Sequence, residues 1–173
     1  MNKVILYIAT SLDGFIADKE GGVDWLPHET EDPKDLVGFK ALLNRISVIV
    51  MGSKSYKQIL TFGQWAWPDK QTYVFTSQNL KTEQTCIEFV QNTPKNFIEK
   101  LKTDNQKGDI WLLGGAELIK SFAIEKLIDE VVITVIPTNL GEGIKLDLVW
   151  DNFIITSEKP CMDGIVQKVY MRK

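Results

Sequence analysis

Apolar runs recur along the chain at fairly even intervals, at residues 3–9 (KVILYIA), 46–52 (ISVIVMG), 72–77 (TYVFTS), 86–90 (CIEFV), 109–114 (DIWLLG) and 130–138 (EVVITVIPT). They are rich in Val, Ile and aromatic residues, and several are apolar at consecutive rather than alternate positions. That pattern predicts strands of a central sheet covered on both faces. Segments with helical spacing lie between them. Residues 32–45 place Leu36, Phe39, Leu42 and Leu43 on one face, with Pro33 in a first turn. A short helix over 53–60 opens at Ser53, and one over 93–103 takes Thr93 as N-cap and Pro94 as its first residue. A fourth, over 115–127, follows directly on a pair of glycines. The chain closes with residues 152–160 and 164–173 separated by CMDG, an antiparallel hairpin turning near Asp163 and Gly164. The sum is an α/β arrangement of eight strands and four helices, with early β-α-β crossovers and a late antiparallel edge.

No repeat, low-complexity tract or linker marks a boundary, so residues 1–173 read as one domain. Apolar residues are 44% of the chain and charged residues 25%, the balance of a globular protein. Lys and Arg number 20 against 23 Asp and Glu, a net charge of -3, which lacks the basic footprint of a nucleic-acid binder. The apolar opening run is too short for a signal-peptide core or a membrane span, so the expected location is cytoplasmic. Cys86 and Cys161 lie far apart and outside any CxxC pair, and read as free thiols. The one histidine, His28, sits in a polar, proline-containing loop. Zinc chemistry therefore lacks ligands, and a Ser-His-Asp triad would lack a rigid base; no metal is expected.

The junction GDIWLLGGAELIKSF (108–122) is the first candidate site. A buried strand hands over to a helix through Gly114 and Gly115, two residues without side chains, with Glu117 in the first helical turn. Open backbone N–H groups at the positive end of a helix dipole bind phosphate, and ligands of α/β sheets dock outside the carboxyl ends of strands. A tight turn in which glycine simply fits is the competing reading. A second strand end, Gly52, leads into Ser53, Lys54 and Ser55, and a third leads into Thr76, Ser77 and Gln78; either is a phosphate contact or an ordinary cap. No G-x-G-x-x-G occurs, so a Rossmann dinucleotide fold is disfavoured.

The order of these pieces resembles the dihydrofolate reductase superfamily, in particular the bacterial branch related to the reductase domain of riboflavin biosynthesis. The residues that carry the resemblance are IATSLDGFIA (8–17), VDWL (23–26), VIVMGSKSY (48–56), YVFTSQ (73–78), IWLLGGAELIKSF (110–122) and VVITVIPTNLGEG (131–143). The resemblance implies a three-layer α/β/α fold around a mixed, mostly parallel eight-stranded sheet. It also implies that NADPH lies across the strand ends with its diphosphate against the double glycine. Cofactor contacts would come from Ala9, Gly52, Ser53, Lys54, Ser55, Thr76, Ser77, Gln78, Leu113, Gly114, Gly115, Ala116 and Glu117. In one respect the chain departs from the family: Ser53 stands where an arginine usually meets the cofactor 2'-phosphate. Lys54 or the Thr76–Gln78 end would have to compensate, and NADH stays an alternative.

Hydride transfer needs stacking, close approach and, for an imine, a nearby proton. By resemblance Asp13 lies near the substrate and a mobile loop, Asp35 falls where a pterin-binding acid sits, and Thr134 supports the acid or faces the substrate. Asx-turn, helix-dipole and plain strand roles compete with these assignments. Trp25 and Phe39 would line the substrate cleft or simply pack. Gly14, Gly21 and Gly22 make 14–26 a hinged lid, and the aromatic loop 63–70 packs or forms a subunit contact. The resulting expectation is an NADPH-dependent reductase of a pyrimidine-like or pteridine-like heterocycle, acting as a homodimer. Its first assignment is the 5-amino-6-(5-phosphoribosylamino)uracil reductase type. The alternatives are dihydrofolate reduction and a non-catalytic nucleotide sensor.

Overall fold

The computed structural model describes residues 2–27, 38–104 and 107–173. In chain order these form β1 (Val4–Ser11), β2 (Phe15–Ala17), α1 (Phe39–Arg45), β3 (Ile46–Gly52), α2 (Ser53–Thr61), β4 (Gln71–Phe75) and β5 (Ile87–Val90). They continue with α3 (Pro94–Thr103), β6 (Asp109–Gly114), α4 (Ala116–Ile124), β7 (Glu130–Ile136), β8 (Ile144–Lys145), β9 (Phe153–Pro160) and β10 (Val166–Arg172). Eight strands make one sheet in the order β5-β4-β3-β6-β1-β7-β10-β9. The first six are parallel to their neighbours, while β10 runs antiparallel to β7 and β9 antiparallel to β10.

Buried side chains fall into two layers, one on each face. Leu42 of α1 and Tyr56 of α2 pack on Ile5, Ile49, Met51, Trp111 and Val132. Phe97 and Leu101 of α3, with Ile119 and Phe122 of α4, pack on Leu6, Val50, Leu112 and Val131. The odd and even residues of β1 thus serve opposite cores, as strand pleating demands. Both faces being covered is what the consecutive apolar residues required.

Local chemistry explains where the elements stop. Thr93 caps α3, its Oγ1 accepting the Asn96 N–H at 3.3 Å. The helix after the double glycine ends three residues short of the expected 127, at Ile124. Lys126 adopts φ 54°, and the Lys126 and Leu127 amides donate to the Ala123 and Phe122 carbonyls. This is a left-handed helix terminus built on lysine instead of glycine, so the sequence carried no stop signal. The expected helix at 32–45 is described from Phe39 onward, and its earlier residues, Asp35 among them, lie outside the described residues. A two-stranded ribbon of β2 and β8 was not anticipated; three and two residues are too few to show a period.

At the amino ends of the strands an ionic network fixes their relative positions. Arg45, at the end of α1, donates to both carboxylate oxygens of Glu130 at 3.3 and 3.0 Å and to Asp109 at 3.1 Å. Asp109 also accepts the Lys3 N–H at 2.9 Å, and the Lys3 ammonium lies 3.6 Å from Glu130. One arginine thereby joins the starts of β6 and β7 to its own position ahead of β3. Glu130 is buried and accepts two of Arg45's hydrogen bonds, so loss of its charge weakens that hold. Glu130→Gln is expected to lower stability by about 1–2 kcal/mol, discounted for Arg45's exposure. Urea denaturation measures this, and a change below about 0.5 kcal/mol would show the network to be inert.

Candidate functional site

At the opposite end of the sheet the carboxyl ends of β3, β4 and β6 lie together. Gly52 is registered with Phe75 and Met51 with Gly114. Two helices begin here, α2 after Gly52 and α4 after Gly115, and neither glycine N-cap supplies a side-chain hydrogen bond. A Cβ placed on Gly52 would lie 3.7 Å from the Gly115 nitrogen, and one on Gly115 would lie 3.3 Å from Ser55 Oγ. The two main chains therefore approach each other with only Ser55 intervening. Gly114 has φ 137°, a conformation side chains rarely tolerate, and the Gly114–Gly115 peptide is cis.

The flanking charges are already engaged. Lys54 and Glu117, each two residues after one of these glycine caps, form an exposed ion pair at 3.4 Å. Lys57, one turn further along α2, donates to Gln78 Oε1 at 2.6 Å. Gln78 is in turn set by its N–H, which donates to Thr76 Oγ1 at 3.0 Å in the turn that ends β4. Lys57 did not stand out in sequence, because its partner is 21 residues away.

On the α1 face the neighbouring strand ends form a second surface. Ala9 of β1 is registered with Thr134 of β7, and both fall two-residue steps from the buried Ile5 and Val132 of that face. Leu113 packs against the same layer. The Phe39 ring lies 5.8 Å from Tyr7 and 5.5 Å, edge-on, from Trp111. Phe39 is thus half-buried in an aromatic wall. The loop tryptophans Trp65 and Trp67 pack into this wall as well, Trp67 lying 5.2 Å from Trp111.

Two buried polar atoms have no hydrogen-bond partner among the described residues: Thr134 Oγ1 and Trp25 Nε1. Such atoms are rare in folded proteins, and each costs about 1–3 kcal/mol if it stays unsatisfied. Both belong to residues singled out for the substrate cleft. Trp25 ends a segment fastened at two points. Asp18 closes the 18–22 turn by accepting the Gly22 and Glu20 amides at 2.7 and 2.9 Å. Gln58 of α2 donates to the Gly21 carbonyl at 2.8 Å.

Asp13 is the third fastening. Its carboxylate accepts the Leu140 and Gly141 amides at 3.2 and 2.7 Å, joining the β1–β2 turn to the loop after β7. The Ser11 hydroxyl foremost, followed by the Gly141 and Leu140 amides, holds its carboxyl at about 2, below the ordinary 3.8. Ser11, which also accepts the Phe15 N–H at 2.9 Å, is a positioning residue that the sequence did not mark. Asp35, the other candidate acid, lies outside the described residues.

Because Asp13's folded value lies below the unfolded one, its clamp is complete above about pH 4 and fades as pH falls through about 2. The Leu140 and Gly141 amide resonances are expected to titrate with a midpoint near 2. Asp13→Asn should show their released positions at neutral pH. A midpoint at the ordinary carboxylate value would show that the amides do not hold Asp13.

The comparisons with known proteins agree with this geometry. The family described as the RibD C-terminal domain matches residues 66–147. Two proteins of Bacillus subtilis, both described as uncharacterized, are related along most of the chain. YwjB is 38% identical over 146 residues, 83% of this chain and 82% of YwjB. YyaP is 33% identical over 186 aligned positions, 97% of this chain and 94% of YyaP. Among solved structures, a putative riboflavin biosynthesis protein from Shewanella superposes with a TM-score of 0.85 at 32% identity, over 99% of both chains. Dihydrofolate reductase from Enterococcus faecalis, complexed with NADP(H) and RAB-propyl, superposes at 0.73 with 19% identity, over 99% of this chain and 96% of that one. A bifunctional deaminase and 5-amino-6-(5-phosphoribosylamino)uracil reductase from Thermotoga maritima superposes at 0.71 with 16% identity, over 99% of this chain and 57% of that one. The last two show a shared fold. With its sheet order, its glycine junction and these relatives in hand, the chain belongs to the RibD C-terminal domain family, on a dihydrofolate reductase-like fold.

Proposed function

We propose that the protein is an NADPH-dependent reductase of a nitrogen heterocycle, of the 5-amino-6-(5-phosphoribosylamino)uracil reductase type. The observation that carries this reading is the bare approach of Gly52 to Gly115, where two helices start without side-chain caps. Unfilled amides at paired helix starts are the chemical complement of a diphosphate. Gly114, Gly115 and Ala116, with Ser53 and Ser55, would hold that group. Thr76, Ser77 and Gln78 would take the adenosine end, and Ala9 and Leu113 would border the nicotinamide. Bound there, NADPH supplies a hydride for a C=N or C=O bond.

The chain's own part is to orient the substrate and keep water out. The Phe39, Tyr7 and Trp111 wall suits a flat ring. The unmatched Thr134 hydroxyl and Trp25 indole N–H suit a heterocycle with both donors and acceptors on its rim. Family membership supports the pyrimidine substrate over dihydrofolate. The same reading includes a cytoplasmic setting and a homodimer, for which the exposed Ile154 and Ile155 of edge strand β9 offer apolar surface.

NADPH oxidation, followed by nicotinamide absorbance with the ribosylaminopyrimidine and dihydrofolate offered separately, tests the reaction. Turnover of the first alone is expected. Turnover of dihydrofolate alone would transfer the assignment to folate chemistry, and tight binding without turnover of either would make the protein a sensor. Two variants locate the roles. Gly115→Ala is expected to weaken NADPH binding about tenfold, because its methyl group enters the space left open beside Ser55. Thr134→Val should lower kcat about tenfold with NADPH affinity unchanged, as expected for a lost substrate hydrogen bond.

A further inference from the structure

We propose that Lys57, tethered by Gln78, is the residue that selects a 2'-phosphorylated dinucleotide over its unphosphorylated counterpart. This rests on the reductase reading above and assigns a role that position 53 cannot fill, since Ser53 carries no charge. Three observations carry it.

First, the cation adjacent to Ser53 is neutralised. Lys54 lies 3.4 Å from Glu117, so a phosphate approaching Lys54 meets a carboxylate as well. Second, both arginines of the chain are committed elsewhere. Arg45 is bound to Glu130 and Asp109, and Arg172 to Asp129, all at the amino ends of strands or in the turns just before them. Third, Lys57 points its ammonium at the end of β4. It donates to Gln78 Oε1 at 2.6 Å, a neutral acceptor that fixes the ammonium without cancelling its charge. Lys54, the other lysine of α2 beside the glycine junction, pairs by contrast with a carboxylate.

The rest of the surroundings suits a phosphate monoester. Thr76 and Ser77 bring hydroxyls to the same turn, which follows directly on Phe75, the residue registered with Gly52. The tethered ammonium and these hydroxyls therefore stand one strand away from the glycine junction, on the side where a dinucleotide held there would extend its adenosine. A lysine ammonium can donate to several oxygens from one position, which suits a rotating monoester dianion.

Fluorescence titration with NADPH and with NADH, on the wild type and on Lys57→Gln, Lys57→Arg and Lys54→Gln, tests the proposal. In wild type, NADPH should bind more tightly, with the preference shrinking as salt rises. Lys57→Gln should weaken NADPH binding roughly tenfold, the size of one charge-assisted hydrogen bond, and leave NADH binding unchanged. Lys57→Arg should keep most of the preference, and Lys54→Gln all of it. Thermal melting confirms that each of these surface variants folds. A preference that survives Lys57→Gln, or that disappears in Lys54→Gln, overturns the assignment while leaving the reductase reading standing. Failure of wild type to bind either dinucleotide removes both.

Discussion

Two helices that start side by side with only Ser55 between them set the terms for the rest of the molecule. The main chains at Gly52 and Gly115 come so close that a methyl group on either would be in contact with the other segment or with Ser55. Such an approach is available only where two parallel strands end level, and β3 and β6 are adjacent in the sheet. The register of β3 against β6 shifts between Ile46 and Val48 and again between Val50 and Met51, and the second shift sets Met51 opposite Gly114. The ionic network around Arg45 and Glu130 holds the register from the far end, and the two apolar layers hold it along the length.

Charge is divided between the two ends of the sheet accordingly. Both arginines serve the amino ends, where they neutralise Asp109, Asp129 and Glu130. The carboxyl ends of β3, β4 and β6 keep glycines, hydroxyls, helix starts and Lys57, with Lys54 and Glu117 paired at the surface. A strongly paired site would resist an anionic ligand, because an existing partner must first be displaced. Open amides and an amide-tethered lysine need displace nothing charged.

Much of this could be read from the sequence, and the parts that could not share a physical cause. Strands apolar on both faces, the Thr93–Pro94 helix start and the Asp163–Gly164 turn all announce themselves within a few residues. So did the glycine pair, since two adjacent residues without side chains at a strand end have few uses. What stayed hidden depends on pairs distant in the chain. The Asp13 carboxylate meets amides 127 and 128 residues away, and Lys57 meets Gln78 across 21. The β2–β8 ribbon is likewise a pairing of short segments with no period of their own, and the α4 terminus puts lysine in a conformation usually given to glycine.

The engagement of Asp13 also bears on the proposed reduction. Reduction of a C=N bond takes a hydride and a proton, and the nearest exposed carboxylate of the β1–β2 turn has been spent on holding the loop after β7. Its low pKa is the consequence of that clamp, since every hydrogen bond that fixes the loop also favours the ionised form. The segment from Gly14 to Trp25 is fastened beside its start by Asp13 and at Gly21 by Gln58, while Thr134 Oγ1 and Trp25 Nε1 are buried without a partner among the described residues. On the proposed reading, the Thr134 hydroxyl would hydrogen-bond the substrate without itself changing charge, so the surface around it could stay uncharged and apolar enough to hold a flat ring.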